Sequence, residues 1–259
     1  MGRVIYVMAL TFCVAGLVAV VSPAYAGFLL QENFDEPGAG NPGTALVNAG
    51  SGWTGSAVPY LSNFSSIDSG NCLEWRANGG SGWQNVAHSF SDTPSAGDTY
   101  TLTATLFANN TAGSNASLYL ADSSSEHQYV GVAIGYGSID GGANRYFKWE
   151  NGEGAAITAT PSTWDYGNGI DVKIVLTDSL QDFYYRANGT TTWTSAGSLT
   201  TSLPLSTYKA VTMDVNPGYT GAIDSIALST SAVPEPSAIV LLITGLIGLL
   251  TYVWRKRTV

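Results

Sequence analysis

The sequence predicts an all-β protein, about ten short strands folded as a sandwich or barrel, with an apolar segment at each end of its 259 residues. Three observations lead there. First, Tyr100-Thr101-Leu102-Thr103-Ala104-Thr105-Leu106 alternates apolar residues with threonine, and the same period returns in Val130, Val132, Ile134, Tyr136 and in Ile170, Val172, Ile174, Leu176. Successive side chains of a strand point to opposite faces, so a period of two makes one face buried and the other solvated. Second, Gly, Ser, Thr and Asn dominate, Lys and Glu are scarce, and no stretch of the body keeps apolar residues at helical spacing, which leaves no room for long amphipathic helices. Third, turn clusters punctuate the chain, among them Gly137 to Gly142 and the Asn188-Gly189 pair. An Asn-Gly pair between two strands suits a tight hairpin.

Taken in order, the chain starts with Arg3, an apolar run from Val4 to Val21, Pro23, and Ala24-Tyr25-Ala26. A basic residue, an apolar stretch and small residues at −3 and −1 make a secretory signal peptide over residues 1–26, cut by signal peptidase before Gly27. An uncleaved anchor is the alternative. Cys13 lies inside the apolar run after Phe12, where no lipoprotein site fits. Cys72 is then alone in the body and has no internal disulfide partner. It reads as a compact buried apolar residue, an intermolecular link being the other option.

Residues 27–232 read as one domain. Beyond the three alternating stretches, strands are expected at Cys72 to Arg76, Gln84 to Phe90, Ser117 to Ala121, Arg145 to Glu150, Asp182 to Ala187, Ala210 to Val215 and Ala222 to Ser229, with a first strand near Asn33-Phe34-Asp35. All 19 acidic residues lie between Glu32 and Glu235, but only six of the ten basic ones do, so residues 32–235 carry a net charge of −13. Such a surface repels phosphate backbones and anionic membranes, which excludes nucleic acid as a partner.

The chain ends with Val233-Pro234-Glu235-Pro236, an uncharged stretch from Ser237 to Trp254, and Arg255-Lys256-Arg257. A membrane span takes about 20 mostly apolar residues, and a basic cluster behind one stays cytoplasmic. Residues 233–259 therefore read as a motif, a single transmembrane helix and a basic stop. Pro234 and Pro236 acting only as strand breakers before a permanent anchor is the plainer alternative. Motif, helix and basic tail in this order resemble the PEP-CTERM sorting signal of exopolysaccharide-producing Gram-negative bacteria. That resemblance implies recognition of Val233–Pro236 by a membrane-embedded exosortase, with release of the body to the cell surface or matrix.

The number and spacing of the strands, with the last at Ala222-Ile223-Asp224-Ser225-Ile226-Ala227-Leu228, resemble the concanavalin A-like jelly roll of lectin and laminin-G-like modules. The fold expected is therefore a two-sheet antiparallel jelly-roll sandwich. The resemblance also implies a sheet face on which sugars lie and a structural calcium between first and last strands, which would fall to Asp35 and Asp224. A second calcium candidate is the run from Asp165 to Asp171.

Glycan cleavage needs two carboxylates across one sugar bond, and no strand carries an alternating acidic run. The nearest pair, Glu150 and Glu153, is spaced by three around an Asn-Gly turn. His88 and His127 are the two histidines, no serine carries a nucleophile-elbow signature, and one cysteine with two histidines is too few for zinc. No catalytic residue is assigned. Six tryptophans lie in the body, and most must be core. Trp83, Trp164 with Tyr166, and Trp193 sit at loop edges and are the candidate sugar-stacking rings. The expectation is an exported, non-catalytic polysaccharide-associated protein; a surface glycan hydrolase or lyase, and a purely structural coat protein, are the alternatives.

Overall fold

A computed structural model describes residues 27–32, 34, 52–55, 60–62, 72–75, 84–108, 114–123, 128–137, 144–159, 169–215 and 221–231, with 245, 246, 248–250, 253 and 256 in the C-terminal segment. Fifteen strands occur among them. In chain order they are β1 (Gly27–Glu32), β2 (Trp53–Gly55), β3 (Tyr60–Ser62), β4 (Cys72–Trp75), β5 (Gln84–Ser89), β6 (Thr99–Ala108), β7 (Ser114–Ala121) and β8 (Tyr129–Gly137). The series continues with β9 (Asn144–Asn151), β10 (Ala156–Ala159), β11 (Ile170–Leu176), β12 (Leu180–Ala187), β13 (Thr194–Thr200), β14 (Ala210–Val215) and β15 (Gly221–Ser231). They form an eight-stranded sheet, β13-β12-β11-β6-β15-β4-β3 with β1 also on β15, and a seven-stranded sheet, β10-β9-β8-β7-β14-β5-β2.

The two antiparallel sheets enclose one core, as the alternation requires. From β6 it takes Tyr100, Leu102, Ala104 and Leu106; from β8, Val130, Val132 and Ile134; from β11, Ile170, Val172, Ile174 and Leu176. An aromatic clasp spans the gap between the sheets. Trp149 of β9 lies 5.2 Å from Phe183 of β12, and Phe147 lies 5.5 Å from Tyr185. A buried polar chain also crosses the core: Asn151 Nδ2 donates to Gln181 Oε1 at 3.1 Å, and Gln181 Nε2 donates to the Tyr208 hydroxyl at 3.3 Å. Burial pushes the Tyr208 phenol up to about 12. Paired this way, the amides avoid the cost of a buried polar group left without a partner.

Most of the expected strands are present with edges shifted by a few residues. The first strand differs: it is Gly27–Glu32, not a segment around Phe34. Phe34 takes a φ of 58°, and its N–H donates to Glu32 Oε1. A bulky residue in the left-handed region cannot continue a strand, so the chain turns away after Glu32. This strand does pair with the last one, Glu32 opposite Ile226. Cys72 is buried in a small cluster with Phe107 and Ala222, an apolar role as expected. Of the eighteen residues from Ser237 to Trp254, twelve fall outside the described residues. Those of the C-terminal segment that are described are helical, and no helix among the described residues is long and apolar enough to cross a membrane.

Candidate functional site

The hairpin β11–β12 sets the site. Its register places Asp171 opposite Arg186 and Lys173 opposite Tyr184, and on the other side β6 places Thr105 opposite Asp171 and Thr103 opposite Lys173. Because Val172, Ile174, Phe183 and Gln181 turn into the core, the alternate residues Asp171, Lys173, Tyr184 and Arg186 share the outer face of the eight-stranded sheet. The turn after β12 then delivers the tryptophan. Gly189 has a φ of 78°, and Thr190 donates from both its N–H (3.1 Å) and its hydroxyl (2.7 Å) to the Ala187 carbonyl. Glycine takes this conformation without the steric cost of a Cβ. The chain turns back, and Trp193 arrives one residue before β13.

Trp193 stays half-buried and is fixed by two cations. The Arg186 guanidinium carbon lies 4.3 Å from the centre of its ring and Lys173 Nζ lies 4.7 Å from it, while Lys173 Nζ is also 4.4 Å from the Tyr184 ring. Each such contact contributes about 0.5–1 kcal/mol where water has access. Arg186 is held in turn: its Nε donates to Asp171 Oδ2 at 2.8 Å, and the Thr105 hydroxyl donates to Asp171 Oδ1 at 2.8 Å. The Asp171 side chain is only 11% exposed, against 27% for Arg186, so this pair is shielded from the screening that weakens surface ion pairs. The result is an indole of set orientation, part of it in water, with an ammonium group and a guanidinium over its ring. A flat apolar ring flanked by hydrogen-bond donors can take the apolar face of a sugar ring and its hydroxyls together.

No family model and no curated protein matches this chain. Among solved structures it is similar to the lectin from Bauhinia forficata in complex with GalNAc, at 9% identity over 80% of this chain and 99% of that one, with a TM-score of 0.49. It is similar also to the carbohydrate-binding module CBM66 from Bacillus subtilis, at 12% identity over 70% of this chain and 96% of that one, TM-score 0.42. A third is xylan beta-1,4-xylosidase from Bacillus halodurans C-125, at 12% identity over 78% of this chain and 39% of that one, TM-score 0.49.

Of the aromatic candidates, Trp193 is the one among the described residues; Trp83, Trp164 and Tyr166 lie outside them, as do Val233–Pro236, Arg255 and Arg257. Lys256 is helical and exposed. Trp53 and Trp149 are core. Lys173, Tyr184 and Arg186 were not singled out from the sequence. The signal was there: two alternating pairs, Asp171/Lys173 and Tyr184/Arg186, flank a hairpin whose outward positions can be read once its register is known.

Glu150 and Glu153 are engaged separately. Glu150 accepts from the Tyr119 hydroxyl at 3.3 Å and pairs with Lys148 Nζ at 2.6 Å on the outer face of the seven-stranded sheet. Glu153, in the turn after β9, accepts the Ser202 N–H at 3.1 Å and its hydroxyl. The Ser202 hydroxyl, with Thr201 and the Ser202 N–H, holds the Glu153 carboxyl below its usual range. A general acid needs the opposite shift. His88 packs edge-on against Trp53 with ring centres 5.3 Å apart, and His127 lies outside the described residues.

Among the described residues no three His, Cys, Asp or Glu side chains come together to hold a metal ion. Asp35 lies outside them. Asp224 is buried and accepts the Ser225 N–H at 2.7 Å. In the second candidate run, residues 165–168 lie outside the described residues, and both oxygens of Asp171 are taken by Arg186 and Thr105.

Proposed function

We propose that this is an exported, non-catalytic surface or matrix protein whose concanavalin A-like jelly roll holds polysaccharide weakly, by stacking sugar rings on Trp193. The observation that carries the reading is the indole itself, half in water and fixed by Lys173 and Arg186 on the outer face of the eight-stranded sheet. A tryptophan serving only the core would follow Trp149 and be fully buried. The export and sorting half of the proposal rests on the two end segments: signal peptidase acts before Gly27, and an exosortase acts at Val233–Pro236. One stacked ring with a few hydrogen bonds leaves little net affinity after ordering costs, so retention in a matrix comes from many displayed copies.

Replacing Trp193 by alanine is expected to weaken binding to isolated exopolysaccharide by about tenfold, which is about 1.4 kcal/mol, with little loss of stability. Retardation in polysaccharide-containing native gels measures the first and denaturant unfolding the second. Unchanged retardation in the variant would leave a structural coat protein as the better reading. Turnover of any glycan lost on Glu150→Gln would favour the hydrolase. For the sorting half, the mass of the protein recovered from cells with an active exosortase should correspond to a chain lacking residues 1–26 and the basic end Arg255–Arg257. Full-length mass would sink that half alone.

A further inference from the structure

We propose that the Trp193 platform selects an anionic polysaccharide, its acidic group sitting on the Lys173 ammonium; this rests on the sugar-stacking reading above and names its ligand class. Positive charge is left over at one place. Among the described side chains of the body there are four cations. Lys148 pairs with Glu150, Lys209 Nζ donates to the Asp92 carbonyl at 3.0 Å, and Arg186 pairs with Asp171. Lys173 has neither a carboxylate nor a hydrogen-bond acceptor among the described residues; its partners are the Tyr184 and Trp193 rings.

Two positive groups therefore lie over one indole, and one of them is paired with a carboxylate. Asp171 is committed on both oxygens, to Arg186 and to Thr105. Burial, and then the Arg186 charge, lower the Lys173 pKa, the mark of a cation that lacks compensation. An acidic sugar stacked on Trp193 brings its charge to this edge and reverses that deficit, forming a charge-assisted bond of the stronger kind. Placement matters too. Residues 32–235 carry −13, so a polyanion is repelled everywhere except where positive charge is concentrated, and non-specific adsorption is suppressed. At low salt that repulsion opposes binding while the local pairing is at its strongest, so salt dependence is a poor readout. Neutralising the ligand at constant backbone is a clean one.

The test uses the full chain in detergent and follows tryptophan fluorescence or heat on titration. Polygalacturonate is compared with its fully methyl-esterified form, and dextran sulfate with dextran. Tighter binding of a polyanion than of its neutral counterpart, by about tenfold, lost in Lys173→Gln and kept in Lys173→Arg, supports the proposal. Which polyanion behaves so identifies carboxylate or sulfate as the group recognised. Equal binding of acid and ester, each weakened by Trp193→Ala, overturns the charge selection and leaves the stacking reading in place. Absence of binding to all four overturns both. Equal loss of acid binding in Lys173→Gln and Lys173→Arg also overturns it, since the charge would then be irrelevant.

Discussion

Replacing Trp149 by alanine is expected to lower the unfolding free energy by about 3–5 kcal/mol, the range for truncating a buried large aromatic. Its side chain is fully buried, with the Phe147 ring at 4.8 Å and the Phe183 ring at 5.2 Å, so it belongs to the clasp that joins the two sheets. Truncation opens a cavity lined by residues of both sheets, and neither sheet can move in to fill it without breaking ladder bonds. Trp149→Phe makes the argument sharper. Among the described residues the indole Nε1 has no hydrogen-bond partner, and a buried unpaired donor costs about 1–3 kcal/mol. Phenylalanine removes that donor and keeps most of the ring, so its loss should be clearly smaller than that of alanine. Denaturant unfolding followed by circular dichroism measures both. Equal losses for Phe and Ala would mean that the indole is held by something other than packing. Phe28, which is 62% exposed, supplies the control: its truncation should stay within about 0.5 kcal/mol.

The strands that the sequence announces are those with neighbours on both sides. β6, β8 and β11 sit inside their sheets, pack one face into the core, and show it as strict alternation. Of the five that carry no such announcement, β2, β3, β10 and β13 are the end strands of the two sheets, and β1 pairs only with β15. An end strand has one hydrogen-bonded neighbour and need bury little. β13 reads Thr-Ser-Ala-Gly-Ser-Leu-Thr and leaves most of its residues exposed or half-exposed, so composition alone looks like a loop. Charged or short polar edges of this kind also discourage pairing with a second molecule. What places β13 is the Asn188-Gly189 turn and the register of β12, which are tertiary facts.

The candidate site was legible in the same partial way. Trp193 stood out because it follows a threonine-rich turn, and turn edges expose rings. Its companions were hidden by their ordinariness: a lysine and an arginine at outward strand positions look like solvating charges until the register brings them under one indole. Asp171 shows the converse. In an Asp- and Asn-rich run it resembled a calcium ligand, yet the cross-strand position opposite Arg186 and Thr105 commits both its oxygens. One-dimensional spacing finds oxygens; only pairing decides whose they are.

Substituting Gly131 by alanine is expected to cost about 1–3 kcal/mol or more, an overpacking loss, although a central strand normally gains from losing a glycine. Gly131 of β8 stands opposite Tyr119 of β7 and Glu150 of β9. The Tyr119 ring lies across it: a Cβ there would come within 2.1 Å of Tyr119 Cδ1 and 2.4 Å of the Leu118 carbonyl oxygen. The glycine is thus the floor on which the tyrosine rests, with its hydroxyl donated to Glu150 and its ring edge-on to Tyr129 at 5.2 Å. Two separate obstacles meet the new methyl group. The ring can swing aside, forfeiting its bond to Glu150, but the carbonyl is strand backbone and cannot. A double-mutant cycle with Tyr119→Ala separates them. In the Tyr119→Ala background the cost of Gly131→Ala should fall, because the ring is gone, and should stay above zero, because the carbonyl remains. Strict additivity would show that the ring is not seated on Gly131, and a gain in stability in that background would show that the strand backbone yields where this packing says it is fixed.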